Sequence, residues 1–325
     1  MHLLETKNLK KHFPLARGLL RKETKLVHAV EDVSIHLDQA TSLGIAGESG
    51  CGKTTLGRMI LGLVEPTSGT VIFDGRDIFH LSHEEMKRLR REAQMIFQDP
   101  YASLNPRKTV SETLALPFRI HRVADESSDQ ESILNLLEMV GLSPARSFLD
   151  RYPHELSGGQ RQRVMIARAI SLRPRLVVAD EPVSSLDVSV RAGILKLMRN
   201  IQKELGLAYV FISHDLAVLR SVCNRVGIMY LGRIVELAQT DEIFLRPAHP
   251  YTKILLSATP IPNPEKSRKR SATIVAGEVP SQIDLPTGCG FHPRCPLAQE
   301  ICRKECPQLH DLGNGHLVAC SSAAS

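Results

Sequence analysis

Residues 47 to 55 read GESGCGKTT, with glycines at 47, 50 and 52 ahead of Lys53 and two threonines. Backbone N–H groups can wrap round an anion only where no side chain blocks them, which is what glycine permits. Gly47, Gly52, Lys53 and Thr54 satisfy the pattern G-x-x-x-x-G-K-[ST], with Glu48, Ser49, Gly50 and Cys51 at its variable positions and Thr55 after it. The chemistry this predicts is a backbone cradle for nucleotide phosphates. Farther on, the apolar run RLVVAD ends in Asp180, and Glu181 follows at once. A carboxylate at the end of such a strand can hold Mg2+ directly or through water. The second carboxylate is placed to polarise an attacking water, so Glu181 is the candidate general base. In LSGGQ, Ser157, Gly158 and Gly159 start an amphipathic helix whose first N–H groups and dipole favour an anion. A second cradle makes sense if it completes the site of another copy. The plainer reading is a helix N-cap, for which serine is a common choice.

Each of these groups needs an element to hold it. Leu43 to Ala46 reads as a strand before the glycine loop, and TTLGRMILGLV as a helix after it. The first 45 residues alternate like strands in LLETKNLKKHF, KLVHAVEDVSIHL and TSLGIAG, with a loop-like insertion, PLARGLLRKETK, between the first two. GTVIFDGRDI predicts a strand and turn, SHEEMKRLRREA a helix with its serine and acids first, and QMIFQ a short buried strand. Between 99 and 155 strand runs vanish, and VSETLALPFRI and DQESILNLLEMVGL carry helical spacing. Alternation then resumes with a helix from Gly158 to Ser171, strand RLVVAD, a helix over 188–204 and strand AYVFIS; RVGIMYLGRIVELA reads as a hairpin. The expectation is an α/β fold with a mainly parallel sheet covered on both faces. Its core is expected over 1–98 and 156–250, a helical insert over 99–155, and a separate Pro-, Gly- and Cys-rich extension over 251–325.

The chain has 325 residues, enough for about two domains. Its 42% hydrophobic and 23% charged content is that of an ordinary globular protein. No apolar run approaches the roughly 18 residues of a membrane span. The start, MHLLETKNLKKHF, becomes charged too early for a secretory signal, so a cytosolic location is expected unless a partner holds the chain at a membrane. A net charge of +6 fits nucleic acid, an anionic membrane or neither. With 4% aromatics and no Trp, stacking platforms for single strands are scarce. The densest basic run, KSRKR at 266–270, reads as a solvated linker. Of seven cysteines, Cys51 and Cys223 stand alone, while Cys289, Cys295, Cys302, Cys306 and Cys320 crowd the end of the chain. In a cytosolic protein such crowding favours a metal over disulfides.

Together the motifs resemble those of ATP-binding-cassette (ABC) ATPases over about residues 1 to 250. Gly47 to Thr55 match the Walker A loop, Leu176 to Asp180 the Walker B strand, Gln98 the Q-loop, and Leu156 to Gln160 the signature motif. Ser184 to Asp187 match the D-loop, and His214 in FISHD the switch histidine. The resemblance implies a P-loop NTPase fold in which helices flank a mixed, mainly parallel sheet, with an antiparallel β subdomain and a helical subdomain. It also implies ATP and Mg2+ as ligands, contacted by Gly47 through Thr55. Lys53 would neutralise phosphate charge, and Thr54, Gln98 and Asp180 would serve Mg2+. Gln98 would also reach the attacking water, and His214 would hold that water in line for Glu181. Phe13 matches the aromatic that stacks on adenine; taken alone it would be a core residue. Ser157, Gly158, Gly159 and Gln160 would act on nucleotide held by an opposite cassette.

The resemblance narrows toward the end. HPYTKILLSATPIP and GEVPSQIDLPTGCGFHPRCPLAQEIC are similar to the extension of dipeptide/oligopeptide importer ATPases, and YASLNPRKTVSETL resembles their second ATPase subunit. This implies an ATPase subunit energising peptide uptake, peripheral on the cytoplasmic face of the cell (inner) membrane. Implied partners are two membrane permease subunits, with a permease coupling helix received by the insert, a different ATPase chain in a heterodimer, and an extracytoplasmic substrate-binding protein, with no nucleic acid. Nickel and glutathione importers share these features, so the cargo stays open. A soluble cassette ATPase acting on DNA or ribosomes has only the basic charge in its favour, and a metal-sensing module would make the cysteine tail the main feature. Gaps of five, six and seventeen residues separate Cys289, Cys295, Cys302 and Cys320, wider than the usual knuckles of structural zinc sites. Four thiolates from a Pro/Gly-rich loop can enclose an iron–sulfur cube, and these positions are similar to those that bind a [4Fe–4S] cluster in peptide-importer ATPases. Zn2+ and unligated thiols are the alternatives. Cys306 is either a spare or a replacement for Cys302. Cys51 is either a reactive thiol that ATP protects or a small residue filling the loop.

Overall fold

The computed structural model describes residues 2–15, 25–122, 126–258, 278 and 280–323. The basic run at 266–270 and most of the insertion expected at 14–25 lie outside the described residues. The first six strands are β1 (Leu4–Pro14), β2 (Leu26–Leu37), β3 (Ser42–Ala46), β4 (Ser68–Phe73), β5 (Arg76–Asp77) and β6 (Ala93–Ile96). They are followed by β7 (Leu176–Asp180), β8 (Ala208–Ser213), β9 (Arg225–Tyr230), β10 (Arg233–Gln239), β11 (His310–Asp311) and β12 (Leu317–Val318). The helices begin with α1 (Lys53–Ile60), α2 (His83–Glu92), α3 (Pro100–Ser103), α4 (Val110–His121), α5 (Glu126–Met139) and α6 (Gly158–Ile170). Then come α7 (Val188–Leu205), α8 (Leu216–Val222), α9 (Thr240–Leu245), α10 (Pro250–Ala258) and α11 (Glu300–Lys304).

The described chain folds as two compact units. The first comprises 37–42 and 80–212 with His2. Here β6, β7 and β8 pair in parallel, Ala93 opposite Leu176 and Leu176 opposite Ala208. Every residue of β7 and β8 is buried, as expected of strands covered on both faces. A capping box starts α2: Ser82 Oγ accepts from the Glu85 N–H, and Glu85 Oε2 accepts from the Ser82 N–H. The helices expected in the insert are α4 and α5, and both pack on α6. The short α3 is tied to α6 as well, the Arg161 guanidinium lying 3.8 Å from the Tyr101 ring centroid.

The second unit comprises 3–36, 43–79 and the residues from 213 onward. An antiparallel sheet runs in the order β2-β1-β4-β5. In the other sheet β3 pairs in parallel with β9, and β9 turns back antiparallel into β10. That hairpin turns on Leu231 and Gly232, both with positive φ (43° and 80°), the handedness a two-residue turn between twisted strands requires. The phosphate-loop helix stops at Ile60, short of the TTLGRMILGLV run, because Gly62 turns left-handed (φ 64°) and Leu63 N–H bonds back to Arg58 O. The tail differs most from expectation. It shares a unit with the phosphate loop, and β12 extends the sheet antiparallel to β10, with Val318 opposite Glu236. A two-residue strand carries no alternation for the sequence to show, and its partner lies in a hairpin far upstream.

Candidate nucleotide site

In the second unit, β3 delivers the chain into the glycine loop and Gly52, at φ 107°, caps α1. A Cβ at Gly52 would lie 1.9 Å from Ala29 O, and one at Gly47 would lie 2.2 Å from Met229 O. Main chain from β2 and β9 therefore walls the loop so closely that only glycine fits at these two positions. Lys53 is buried, its ammonium donating to Gly47 O and Glu48 O at 2.8 Å each, so the cation sits inside the loop. Thr54 and Thr55 follow on a half-buried face. Cys51 is also buried; burial raises its thiol pKa more than neighbouring Lys53 lowers it, which favours the loop-filling reading over the reactive one. Glu48 is held on every side. Its N–H donates to Tyr251 Oη (3.0 Å), and its carboxylate accepts both Arg294 Nη atoms, at 3.0 and 3.1 Å. Tyr230, Tyr251 and Phe291 stack behind it, with centroids 4.6 to 5.3 Å apart.

The remaining expected residues of this unit are Phe13 and His214. Phe13 is 38% exposed near the end of β1, with Lys11 Nζ 5.0 Å from its ring centroid, so it is not a core aromatic. His214 stands exposed on the bend after β8, where Ser213 Oγ accepts the Asp215 N–H and Asp215 caps α8.

In the first unit, Asp180 is buried at the end of β7. Glu181 then turns into the left-handed region (φ 46°), an unfavourable backbone state for a non-glycine residue that marks functional sites. Its N–H bonds Ile212 O at 2.8 Å, and its carbonyl accepts the N–H and hydroxyl of Ser184, the first D-loop residue. The turn brings the Glu181 carboxylate to Gln98, whose Nε2 donates to Oε2 at 3.2 Å. Two residues that lie 83 positions apart in sequence are thus brought together. Ser157 and Gln160 close a capping box at the start of α6: Ser157 Oγ accepts the Gln160 N–H and Gln160 Oε1 accepts the Ser157 N–H. The serine is thus a helix N-cap in this structure, with Gly158 and Gly159 in the first turn that it holds open.

The tail gathers Cys289, Cys295, Cys302 and Cys320 around one small cavity, beside His249 and His292. Cys306 instead lines a different cavity of about 400 Å³ together with Cys289. Burial pushes the Cys289 thiol up to about 11, and the neighbouring Cys302, Cys295 and Cys320 push it the same way. Neighbouring thiols that oppose the ionisation of Cys289 and Cys295 fit a cationic centre. A single zinc at about 2.3 Å from each sulfur would bring them to about 3.8 Å of one another. Among the described residues, no three of these sulfurs lie within 4.8 Å of one another.

Several supporting groups carry no local sequence signal. Glu236, fully buried, accepts from Ala248 N–H and His249 N–H and lies 2.7 Å from His316 Nε2. Glu31 lies 2.7 Å from His12 Nε2 and 3.1 Å from His28 Nδ1, a trio within reach of one metal ion. Lys10 (3.3 Å) and Arg233 (3.8 Å) face its other oxygen, so positive charge already balances the carboxylate and the group reads as an ion-pair network. Burial alone would raise the Glu31 pKa; hydrogen bonds from His12, His28 and Lys10 outweigh it and bring the value to about 2.

A glycine cradle closed round a lysine, and an Asp–Glu pair ending a parallel strand with a glutamine on the glutamate, define an ATPase of the ABC class. The ABC transporter family model matches residues 30–184, and the model for the oligopeptide/dipeptide transporter C-terminal region matches 235–302. This chain belongs to the family of oligopeptide and dipeptide transport ATP-binding proteins. It is 47% identical over 319 residues to the oligopeptide transport ATP-binding protein AppF of Bacillus subtilis, covering 98% of this chain and 96% of that one. It is 48% identical over 318 residues to the dipeptide transport ATP-binding protein DppF of Haemophilus influenzae, with coverage of 98% and 96%. Among solved structures, a dimeric post-hydrolysis state of the ATP-binding cassette MJ0796 bound to ADP and Pi superposes with a TM-score of 0.64. That cassette is 28% identical, and the match covers 73% of this chain and 98% of that one.

Proposed function

We propose that this chain is the ATP-binding and ATP-hydrolysing subunit of an importer carrying di- and oligopeptides across the cytoplasmic membrane. The observation that carries this reading is the joining, in one chain, of a cassette at 30–184 to an oligopeptide/dipeptide transporter region at 235–302. In it Gly47 to Thr55 cradle the ATP phosphates, Lys53 offsets their charge, and Phe13 stacks on adenine. Thr54, Gln98 and Asp180 would hold Mg2+, which would supply charge neutralisation at the phosphates. Glu181 takes the proton of the attacking water; the Gln98 hydrogen bond and the left-handed turn support this by fixing where its carboxylate points. His214 aligns the water. Ser157 to Gln160 act on nucleotide in an opposing cassette, a different chain of the same kind, and the dimeric state of the MJ0796 cassette supports such pairing.

The helical insert at 99–155 receives a coupling helix from a membrane permease of two subunits, which places the chain on the cytoplasmic face of the membrane, and a substrate-binding protein works on the other side. Among the described residues no helix is long and apolar enough to cross a membrane. Affinity purification of the tagged chain from its own membranes tests this: two permease subunits and a second ATPase chain are the expected companions. Recovery with ribosomes or DNA and without permease subunits overturns it.

The same reading assigns a [4Fe–4S] cluster to Cys289, Cys295, Cys302 and Cys320, supported by their shared cavity and the wide gaps between them in sequence. When bound, the cluster supplies a structural cross-link. Protein purified without oxygen is expected to be brown, with about four irons per chain. Cys295→Ser abolishes the metal and Cys306→Ser does not. Colourless protein holding one zinc overturns the cluster and keeps the four-ligand site.

A further inference from the structure

The phosphate loop is gripped at Glu48 by two residues that follow it by 203 and 246 positions, Tyr251 and Arg294. Tyr251 takes the backbone N–H and Lys53 takes the carbonyl, so the main chain at Glu48 is pinned from both sides. Arg294 takes the side chain. Its guanidinium meets both carboxylate oxygens, at 3.0 and 3.1 Å, and Nη1 also reaches Tyr230 Oη at 3.4 Å. The Arg294 side chain is 9% exposed and that of Glu48 28%, so the pair lies partly out of water. A fork-on-fork contact of this kind fixes geometry as well as charge, which a lysine cannot do.

We propose that Arg294 is a positioning residue for the phosphate loop: by pairing with Glu48 it removes a negative charge from the loop and fixes its shape, and so sets affinity for triphosphate. The proposal rests on the reading that this loop binds ATP. Glu48 occupies a variable position of a loop whose ligand carries several negative charges. Left unpaired, its carboxylate opposes that ligand across the width of the loop, an effect of about tenfold in affinity. Glu48 also supplies one of the two carbonyls that hold Lys53, so a shift of its main chain moves the cation as well. Arg294 immediately precedes Cys295 in sequence, which ties the position of the guanidinium to the state of the cysteine tail.

Equilibrium dialysis of ATP and of adenosine against full-length protein tests this. Arg294→Gln is expected to weaken ATP binding about tenfold at low salt, less at high salt where repulsion is screened, and to leave adenosine binding unchanged. Adding Glu48→Gln to that variant is expected to restore ATP affinity, because the opposing charge is gone. ATP affinity unchanged in Arg294→Gln overturns the proposal, and so does a double variant as weak as the single one, since both leave Arg294 a packing role only. If Arg294→Gln does not fold, Arg294→Lys serves, keeping the charge and losing the fork: a loss for ATP alone supports the proposal, and equal losses for ATP and adenosine overturn it. Wild-type protein that binds adenosine but not ATP would strike the ATPase reading itself, a separate result.

Discussion

The phosphate loop and the end of β7 solve different problems and are held differently. The loop presents main chain, so its main chain has to be immobile. It is walled by Ala29 O and Met229 O, filled by its own lysine, and gripped by Tyr251 and Arg294 from the far end of the chain. The end of β7 presents a side chain. Glu181 is set by a local turn, with Ser184 on its carbonyl and Ile212 on its N–H, while Gln98 Nε2 donates to the carboxylate at 3.2 Å. On the function proposed above, binding would draw on residues scattered over the second unit, whereas turnover would hang on a few groups near the carboxylate. A cradle has to be rigid to be selective; a base has to keep one side chain free enough to take and release a proton.

This contrast is open to direct attack. The largest effect is expected from Glu181→Gln, which keeps shape and loses the base: turnover of the assembled complex falls by about 10²–10⁴-fold while ATP binding persists. A near-wild-type rate breaks the assignment. Lys53→Ala touches only the cradle, and a nucleotide titration is expected to show affinity lowered by about 10- to 100-fold, the worth of hydrogen bonds to a charged group. Gln98→Ala removes the 3.2 Å bond to the base and a proposed Mg2+ contact, so kcat is expected to drop by about tenfold, with nucleotide affinity measured without Mg2+ unchanged. Loss of affinity instead would mean that Gln98 belongs to the cradle. The smallest effect concerns the flank of the loop. Glu31 has its pKa depressed from 4.5 to about 2, so its stabilising contribution is complete above pH 4.5 and is lost as pH falls toward 2. Chemical denaturation across that window is expected to show a loss of about 1 kcal/mol, once solvent screening of the ion pairs is allowed for, that Glu31→Gln does not share.

The contrast also explains what the sequence made legible. A loop whose chemistry lies in its main chain announces itself through glycine spacing, and a strand buried on both faces through an unbroken apolar run; hence GESGCGKTT and RLVVAD were readable, as was the hairpin RVGIMYLGRIVELA. The Ser157–Gln160 box was foreseeable too, because its partners are three residues apart. The supports were not. Arg294 carries no periodicity that points at Glu48, and nothing local distinguishes Glu236 as a fully buried carboxylate in a strand of apolar neighbours. Partners that meet only through the folded sheet leave no mark in a window of a dozen residues. The tail was misjudged as separate for the same reason: its proline and cysteine content describes a loop-rich segment truthfully, but says nothing of which strand that segment will join.

The lateness of those partners bears on how the protein is made. The phosphate loop leaves the ribosome early, yet β10 stays an open edge until Leu317 and Val318 arrive, and Glu236 lacks its imidazole partner until His316. An open strand edge is a template for pairing with other chains, and a buried carboxylate without its partner is strongly destabilising. Throughout most of translation the nascent second unit is therefore a client for chaperones. A message truncated before codon 316 yields aggregation-prone protein with every Walker motif intact.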